Sequence, residues 1–111
     1  MPQLPTHLLL VTVEIDESVE DAFNLWYDRE HLPAALACPG VLRGRRYATS
    51  KSTTSTDRGT KASTDTKTYL ALYELDSPQA IDTPEFAAMR GWHQFAPHVR
   101  SVTRVLSALS R

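Results

Sequence analysis

One short segment concentrates side chains that can transfer protons. Trp26-Tyr-Asp-Arg-Glu-His-Leu-Pro33 places Asp28 and Glu30 just before His31. An imidazole with a pKa of about 6.5 exchanges protons near neutral pH, and a neighbouring carboxylate can fix its tautomer. The segment therefore predicts a general acid/base at His31, assisted by Asp28, Glu30 or Tyr27. A structural role fits the same residues, with His31 capping a helix C-terminus and both carboxylates solvated.

Several aromatic and polar side chains elsewhere are candidates for substrate contacts. The guanidinium of Arg46 and the phenol of Tyr47 can donate hydrogen bonds to an anionic or carbonyl group. The alternative for this stretch is an edge strand that charge protects from aggregation. We predict a substrate site formed by Trp26, Tyr27, Arg46, Tyr47, Trp92, His93 and His98. Trp26 also fits a core position, because it lies at helical spacing from Val19 and Phe23.

The sequence offers little for a metal or a cofactor. His93 and His98 are five residues apart across Pro97, a spacing that does not place two imidazoles on one helix face. Cys38 is the single cysteine, so it can form neither an internal disulfide nor a thiolate zinc site. Neither a glycine-rich phosphate loop nor a nucleophile elbow is present. We therefore predict no metal and no cofactor.

Composition indicates one globular domain over residues 1–111. The chain is 41% hydrophobic and 23% charged, and its formal net charge is −1. This charge gives no global field that would attract nucleic acid or a membrane surface, and Arg43, Arg45 and Arg46 form only a small patch. The longest apolar run, 8–11, is far shorter than the ~20 residues that span a bilayer. With no signal-peptide pattern at the start, we expect a soluble, cytoplasmic protein without membrane or nucleic-acid partners.

Hydrophobic patterning predicts the element order β-α-β-β-α-β. Strands are predicted over 7–15, 41–49, 68–75 and 98–106, and helices over 19–27 and within 78–90. The first helix should continue beyond this apolar stretch and weaken near Leu32, since a residue before proline is disfavoured in the helical region. This order is typical of an α+β, ferredoxin-like domain, a four-stranded antiparallel sheet with two helices on one face.

Two further features concern the strands and the segment between them. Ten of the seventeen residues of 50–66 are Ser or Thr, which predicts a mobile hairpin insertion. Strands 7–15 and 68–75 are apolar on both faces, with Leu8 and Leu10 on one side of the first, and Tyr69 and Tyr73 opposite Leu70 and Leu72 in the second. A second copy of the chain is the expected cover, giving a homodimer through the sheet face with both tyrosines in the interface. A merely semi-apolar surface is the alternative.

At this point the sequence is recognisable. The 26–33 block, the Pro39-Gly40 turn, the Arg45-Arg46-Tyr47 strand and the strand 69–75 resemble the EthD-type branch of the dimeric α/β-barrel superfamily. The resemblance implies a ferredoxin-like fold, dimerisation through the sheets and a small apolar pocket between sheet and helices. Relatives in the superfamily include cofactor-independent monooxygenases, polyketide cyclases, decarboxylases, isomerases and haem-dependent peroxidases.

The residues and the resemblance together give a functional expectation. We expect a small-molecule-binding dimeric α/β barrel that acts as a cofactor-independent enzyme. Its chemistry would be proton transfer, of cyclase, dehydratase, decarboxylase or monooxygenase type, on a small apolar carbonyl or aromatic compound. The alternatives are a non-catalytic ligand-binding or carrier protein, and a structural dimer with no activity.

Overall fold

The main sheet has four antiparallel strands. The structure, a computed structural model, describes residues 4–49, 53–56, 59–62 and 68–109. The described residues form six strands, four in the main sheet and two in a separate hairpin: β1 (His7–Ile15), β2 (Val41–Ala48), β3 (Thr53–Thr56), β4 (Gly59–Ala62), β5 (Thr68–Leu75) and β6 (Val99–Ser107). The sheet order is β2-β5-β1-β6, and every neighbouring pair is antiparallel. This is the ferredoxin-like topology, so the predicted fold class is confirmed.

Two helical regions connect the strands. The first is continuous over residues 17–36 and consists of a 3₁₀ turn (Glu17–Val19), α1 (Glu20–Trp26), a π-helical turn (Tyr27–His31) and α2 (Leu32–Leu36). The second is broken into a 3₁₀ turn (Pro78–Asp82), α3 (Pro84–Met89) and a 3₁₀ helix (His93–His98). The hydroxyl of Thr83 accepts a hydrogen bond from the Phe86 amide at 3.1 Å and so caps the start of α3.

The helix does not weaken at Leu32, contrary to the prediction. Leu32 has helical angles (φ −63°, ψ −48°), and the chain runs through Pro33 into α2. The irregularity lies one turn earlier, where the Leu32 amide donates to the carbonyl of Tyr27, five residues back. A π turn of this kind widens the helix ahead of the proline, which relieves the crowding that a regular α-helix would place on its ring.

The two faces of the sheet differ in burial. On β1 and β5, the side chains that face the helices are buried and form the core: Leu9, Val11, Val13, Ile15, Ala71, Tyr73 and Leu75. The alternate residues Leu8, Leu10, Leu70 and Leu72 are partly exposed on the opposite surface. We call that surface the open face. Strand alternation thus confirms that β1 and β5 are apolar on both sides.

Tyr69 and Tyr73 do not lie on the open face, so their predicted place in a dimer interface is wrong. Tyr73 is 3% exposed, and its hydroxyl meets that of Tyr27 on the helix side of the sheet. The Tyr69 hydroxyl donates to the carboxylate of Glu20 on the same side. Both rings share the parity of buried Ala71, because side chains two residues apart on a strand point the same way.

The serine- and threonine-rich segment contains a hairpin. Strands β3 and β4 pair antiparallel, with Thr56 opposite Gly59. The mobility expected for 50–66 stays a prediction, and 50–52, 57–58 and 63–67 lie outside the described residues. None of the helices in the described ranges is long and apolar enough to cross a membrane.

Candidate functional site

A cavity of about 360 Å³ lies between the sheet and the helices. β1 and β5 supply its floor, the π turn one wall, and the end of α3 with the following residues the other wall; β6 borders it with two hydroxyl side chains. The lining residues are Leu9, Val11, Tyr27, His31, Tyr73, Phe86, Met89, Arg90, Gly91, Trp92, Ser101 and Thr103. The volume lies at the lower end of the range for small-molecule sites.

The π turn positions the two central polar side chains. It holds Tyr27 and His31 against one another, with ring centroids 4.7 Å apart in an edge-to-face arrangement. The preceding Trp26 stacks on His31, with centroids 4.8 Å apart and the planes inclined by 24°. Turns of this type widen the helix by one residue and recur at functional sites, where they re-aim side chains. Here the turn directs His31 into the cavity.

His31 is enclosed by aromatic rings and is uncharged at neutral pH. It is 9% exposed, and Trp92 lies on a further side with centroids 5.5 Å apart. Loss of solvation lowers the pKa of His31 from 6.5 to about 4, and the nearby His93 and Arg46 add to this effect. A neutral imidazole carries one donor and one acceptor nitrogen.

The ring nitrogens of His31 are available to a ligand. Within the described residues His31 makes ring contacts but no hydrogen bond, and no fully buried side-chain nitrogen or oxygen lacks a partner. Its nitrogens therefore reach accessible surface. His31 also lines an outer cleft that it shares with Trp26, Glu30 and His93, so it stands between the inner cavity and this cleft.

Two tyrosine hydroxyls form a pair in the cavity. The oxygens of Tyr27 and Tyr73 are 3.0 Å apart, and both side chains are buried. Burial raises the pKa of each phenol above its usual value of about 10, so both stay protonated. One hydroxyl donates to the other, which leaves one hydrogen of the pair free to bind an oxygen of a ligand.

Gly44 makes room for this pair. It lies opposite Tyr73 in the β2–β5 pairing, and a Cβ at Gly44 would stand 2.4 Å from Cδ1 of the tyrosine. The ring thus packs directly on the strand backbone. Gly44 is therefore a point of close backbone approach, and the bulge of β2 lies elsewhere, between Val41 and Arg43.

Arg46 supports Tyr27 from behind. Its guanidinium lies 4.3 Å from the centroid of the tyrosine ring and donates to Oδ1 of Asn24 (2.8 Å) and to Asp28 (2.9 Å). The guanidinium is largely buried, while the Asp28 side chain is 61% exposed. These bonds tie β2 to the first helix. Arg46 is therefore placed to hold Tyr27 rather than to touch a molecule in the cavity.

The structure brings only some of the predicted site residues together. Tyr27, His31 and Trp92 line the cavity, with Trp26 directly behind His31. In the described residues, neither predicted carboxylate is hydrogen-bonded to His31. Asp28 pairs with Arg46, and Glu30 is exposed in the outer cleft. Both carboxylates leave the helix on its solvent side.

The remaining candidates lie elsewhere or on the rim. His93 is exposed, with its ring 5.7 Å from that of Trp26 in the outer cleft. Its φ of +50° is unusual for a residue with a side chain. His98 instead pairs with Asp16 at 3.1 Å, and Tyr47 is 48% exposed beside a groove on the open face.

Sequence reasoning predicted only Tyr27, His31 and Trp92 of the cavity lining, and the residues it missed include Tyr73 and Arg90. For Tyr73 a signal existed, since Gly44 precedes the Arg45-Arg46-Tyr47 stretch and a glycine in one strand leaves space for a large ring on its neighbour. This signal could be used only with the strand register that pairs Gly44 with Tyr73. Arg90 stands alone between Met89 and Gly91, and the sequence carries no signal for its role.

Comparison with protein families gives one match. Residues 6–103 match the model of DUF4286, a family described as a domain of unknown function. No protein with a curated description matches the sequence.

Solved structures with the same fold cover nearly the whole chain. An EthD family protein from Bacillus halodurans superposes with a TM-score of 0.62 and 16% identity, over 93% of this chain and 99% of that one. SnoaB, a cofactor-independent oxygenase from Streptomyces nogalater, gives 0.58 and 13%, over 96% of each chain. A dimeric ferredoxin-like protein from an uncultured marine organism gives 0.50 and 11%, over 97% and 99%. These likenesses show the ferredoxin-like fold; the dimeric α/β-barrel superfamily and its EthD-type branch stay predictions.

Proposed function

This chain belongs to the DUF4286 family, a domain of unknown function, and we propose that it binds a small carbonyl or aromatic compound and catalyses proton transfer without a cofactor. One observation carries the proposal. An uncharged imidazole, His31, lines a cavity that a pair of protonated phenols, Tyr27 and Tyr73, also lines. A base and a hydrogen-bond donor facing one cavity are the minimal equipment for enolisation.

The proposed proton transfer needs only the imidazole of His31 and the two phenols. The free nitrogen of His31 takes a proton from an acidic C–H beside a carbonyl, and the C–H electron pair moves into the carbonyl to give an enolate. The free hydrogen of the Tyr27–Tyr73 pair binds the enolate oxygen as its negative charge develops. Reprotonation from the imidazolium at another position completes an isomerisation, and the enolate is also the first intermediate of cyclisation and dehydration.

The walls of the cavity support an organic substrate of one or two rings. Apolar and aromatic side chains such as Leu9, Phe86 and Trp92 line part of the cavity and offer packing surface to an aromatic ring. The EthD-type branch, proposed from the Trp26–Pro33 block, agrees with such chemistry, as does the similarity to SnoaB, a cofactor-independent oxygenase. Fold alone does not decide activity, so the proposal rests on the cavity.

Hydrogen–deuterium exchange tests the proposal. Phenylpyruvate and 2-tetralone, two small aromatic ketones with acidic C–H groups, are incubated in D₂O at pD 7.5 and followed by proton NMR. We expect the wild type to accelerate exchange beside the carbonyl of at least one probe. His31→Gln should lose at least about 100-fold of that acceleration, the usual contribution of a positioned base. His7→Gln changes a histidine near Ser107, outside the cavity, and should behave as the wild type.

One observation favours a carrier or sensor as the second candidate. The pKa of His31 near 4 makes it a weak base, and a binding protein needs no base. Binding of both probes without accelerated exchange would support this candidate and remove the enzymatic one. A melting temperature of His31→Gln that falls while exchange is unchanged would assign His31 a structural role instead.

We also propose that a second copy of the chain covers the open face. Apolar side chains there remain partly exposed, including Val102 (48%) and Leu106 (39%) of β6 beside Leu8 and Leu10 of β1. At about 25 cal/mol per Å², covering such a surface contributes several kcal/mol toward association. The description of one structural neighbour as dimeric agrees with this arrangement.

A further inference from the structure

The main cavity is lined by one formal charge. Among the described residues that line it, Arg90 alone is charged at neutral pH, because His31 is neutral and the other lining side chains are apolar, aromatic or hydroxylic. No acidic side chain is among them. The lining of the cavity therefore attracts an anion through Arg90 and contains no acidic side chain that would repel it.

Arg90 is exposed at the edge of the cavity and has no carboxylate partner among the residues that the structure describes. Its guanidinium lies 5.7 Å from the ring centroid of Phe86, and within the described residues it forms no ion pair or side-chain hydrogen bond. Phe86 is 5% exposed, whereas Arg90 is exposed, so the arginine extends from the buried ring toward solvent. All five donors of the guanidinium remain available to a ligand.

A second guanidinium lies next to the site. Arg46 stands behind Tyr27, with its guanidinium 4.3 Å from the centroid of the tyrosine ring. Of the carboxylates on the π turn, Asp28 is paired with Arg46 and Glu30 is exposed in the outer cleft. A cleft with low-dielectric walls and an excess of one charge concentrates ligands of the opposite charge.

We propose that the cavity selects a flat organic anion, an aromatic or conjugated carboxylate or phenolate, whose charged group binds Arg90 while its ring lies among Phe86, Tyr27 and Trp92. This inference rests on the proposed function, since it names the class of compound that the same cavity binds. Arg90 would then be a residue that determines specificity. The bound anion would also stabilise the protonated form of His31, because an added negative charge nearby favours the imidazolium.

Calorimetry with a matched pair of probes tests the inference. The probes are 2-naphthoate and its neutral isostere 2-naphthamide, both measured at pH 7.5, where the carboxylate is ionised. We expect the wild type to bind the anion about tenfold more tightly, the effect of one charge-assisted hydrogen bond at a partly exposed site. Arg90→Gln should remove this preference. Arg29→Gln removes the same charge from an exposed helix position and should keep it.

The outcomes separate the inference from the proposed function. Equal binding of both probes by the wild type would overturn the anion preference and leave a cavity that binds small molecules. An anion preference that survives in Arg90→Gln would overturn the role of Arg90. If neither probe binds, the inference fails while the exchange experiment still tests the enzyme. A second readout is the His31 ring resonance, whose titration midpoint should rise when 2-naphthoate is bound and remain in place with 2-naphthamide.

Discussion

Acidification should destabilise this protein through His31. The enclosed imidazole has a pKa of about 4 in the folded chain, against 6.5 when it is exposed in the unfolded chain. Above pH 6.5 the ring is neutral in both states and the difference has no effect. Below 6.5 the unfolded chain takes up a proton that the folded chain refuses, so the free energy of unfolding falls until about pH 4. A gap of about 2.5 pH units at about 1.4 kcal/mol each amounts to about 3 kcal/mol.

Urea unfolding at several pH values measures this loss. Carboxylates titrate in the same range, so the quantity of interest is the difference between the wild type and His31→Gln, which lacks the group. We expect the wild type to lose about 3 kcal/mol more than the variant between pH 7.5 and 4. His7→Gln should retain the wild-type dependence. A His31 proton NMR resonance that titrates near 6.5, together with equal pH dependence of the wild type and His31→Gln, would refute the reasoning.

Two further predictions concern the packing of the sheet. Gly44→Ala places a methyl group 2.4 Å from Cδ1 of Tyr73 and should lower the free energy of unfolding in urea by about 1–3 kcal/mol. The loss should largely disappear in the Tyr73→Leu background, and an undiminished loss there would contradict the clash. Sedimentation equilibrium should show a wild-type dimer at micromolar concentration. Leu72→Asp, on the open face, should be a folded monomer, and the control Leu25→Asp, on the surface of α1, should stay dimeric; a monomeric wild type would contradict the proposed interface.

The fold was accessible from the sequence because each main strand carries a local signal. Alternating and β-branched residues set the bounds of β1 and β5, and the prolines at 78 and 84 mark the starts of the broken helical region. The π turn had no such signal. Proline predicts a disturbance of a helix, but whether the chain breaks or widens depends on what packs on either side. At Tyr27–His31, aromatic contacts hold the wider turn.

The site was less accessible, since it depends on register and on the direction of side chains. Local sequence indicated that His31 could do chemistry, but not that Asp28 would turn away to Arg46 on another strand. Tyr73 lay on a strand whose two faces were equally apolar, so the parity that faces the helices could not be chosen from β5 alone. The pairing with β1 decides which face Tyr73 occupies, because Tyr73 lies opposite Leu9, which faces the helices.

The low pKa of His31 and the uncompensated Arg90 have a common consequence. A base with a pKa near 4 is weak, because each unit by which its pKa falls below that of the proton donor adds about 1.4 kcal/mol to the proton transfer. Burial is the main cause of this low pKa and the Arg46 charge a smaller one, and an anion in the cavity would oppose the effect of Arg46. A substrate that carries its own negative charge would therefore strengthen the base that acts on it, whereas a neutral analogue of the same shape would meet a weaker base. On this reasoning, selectivity for anions should be greater in the rate of proton transfer than in binding.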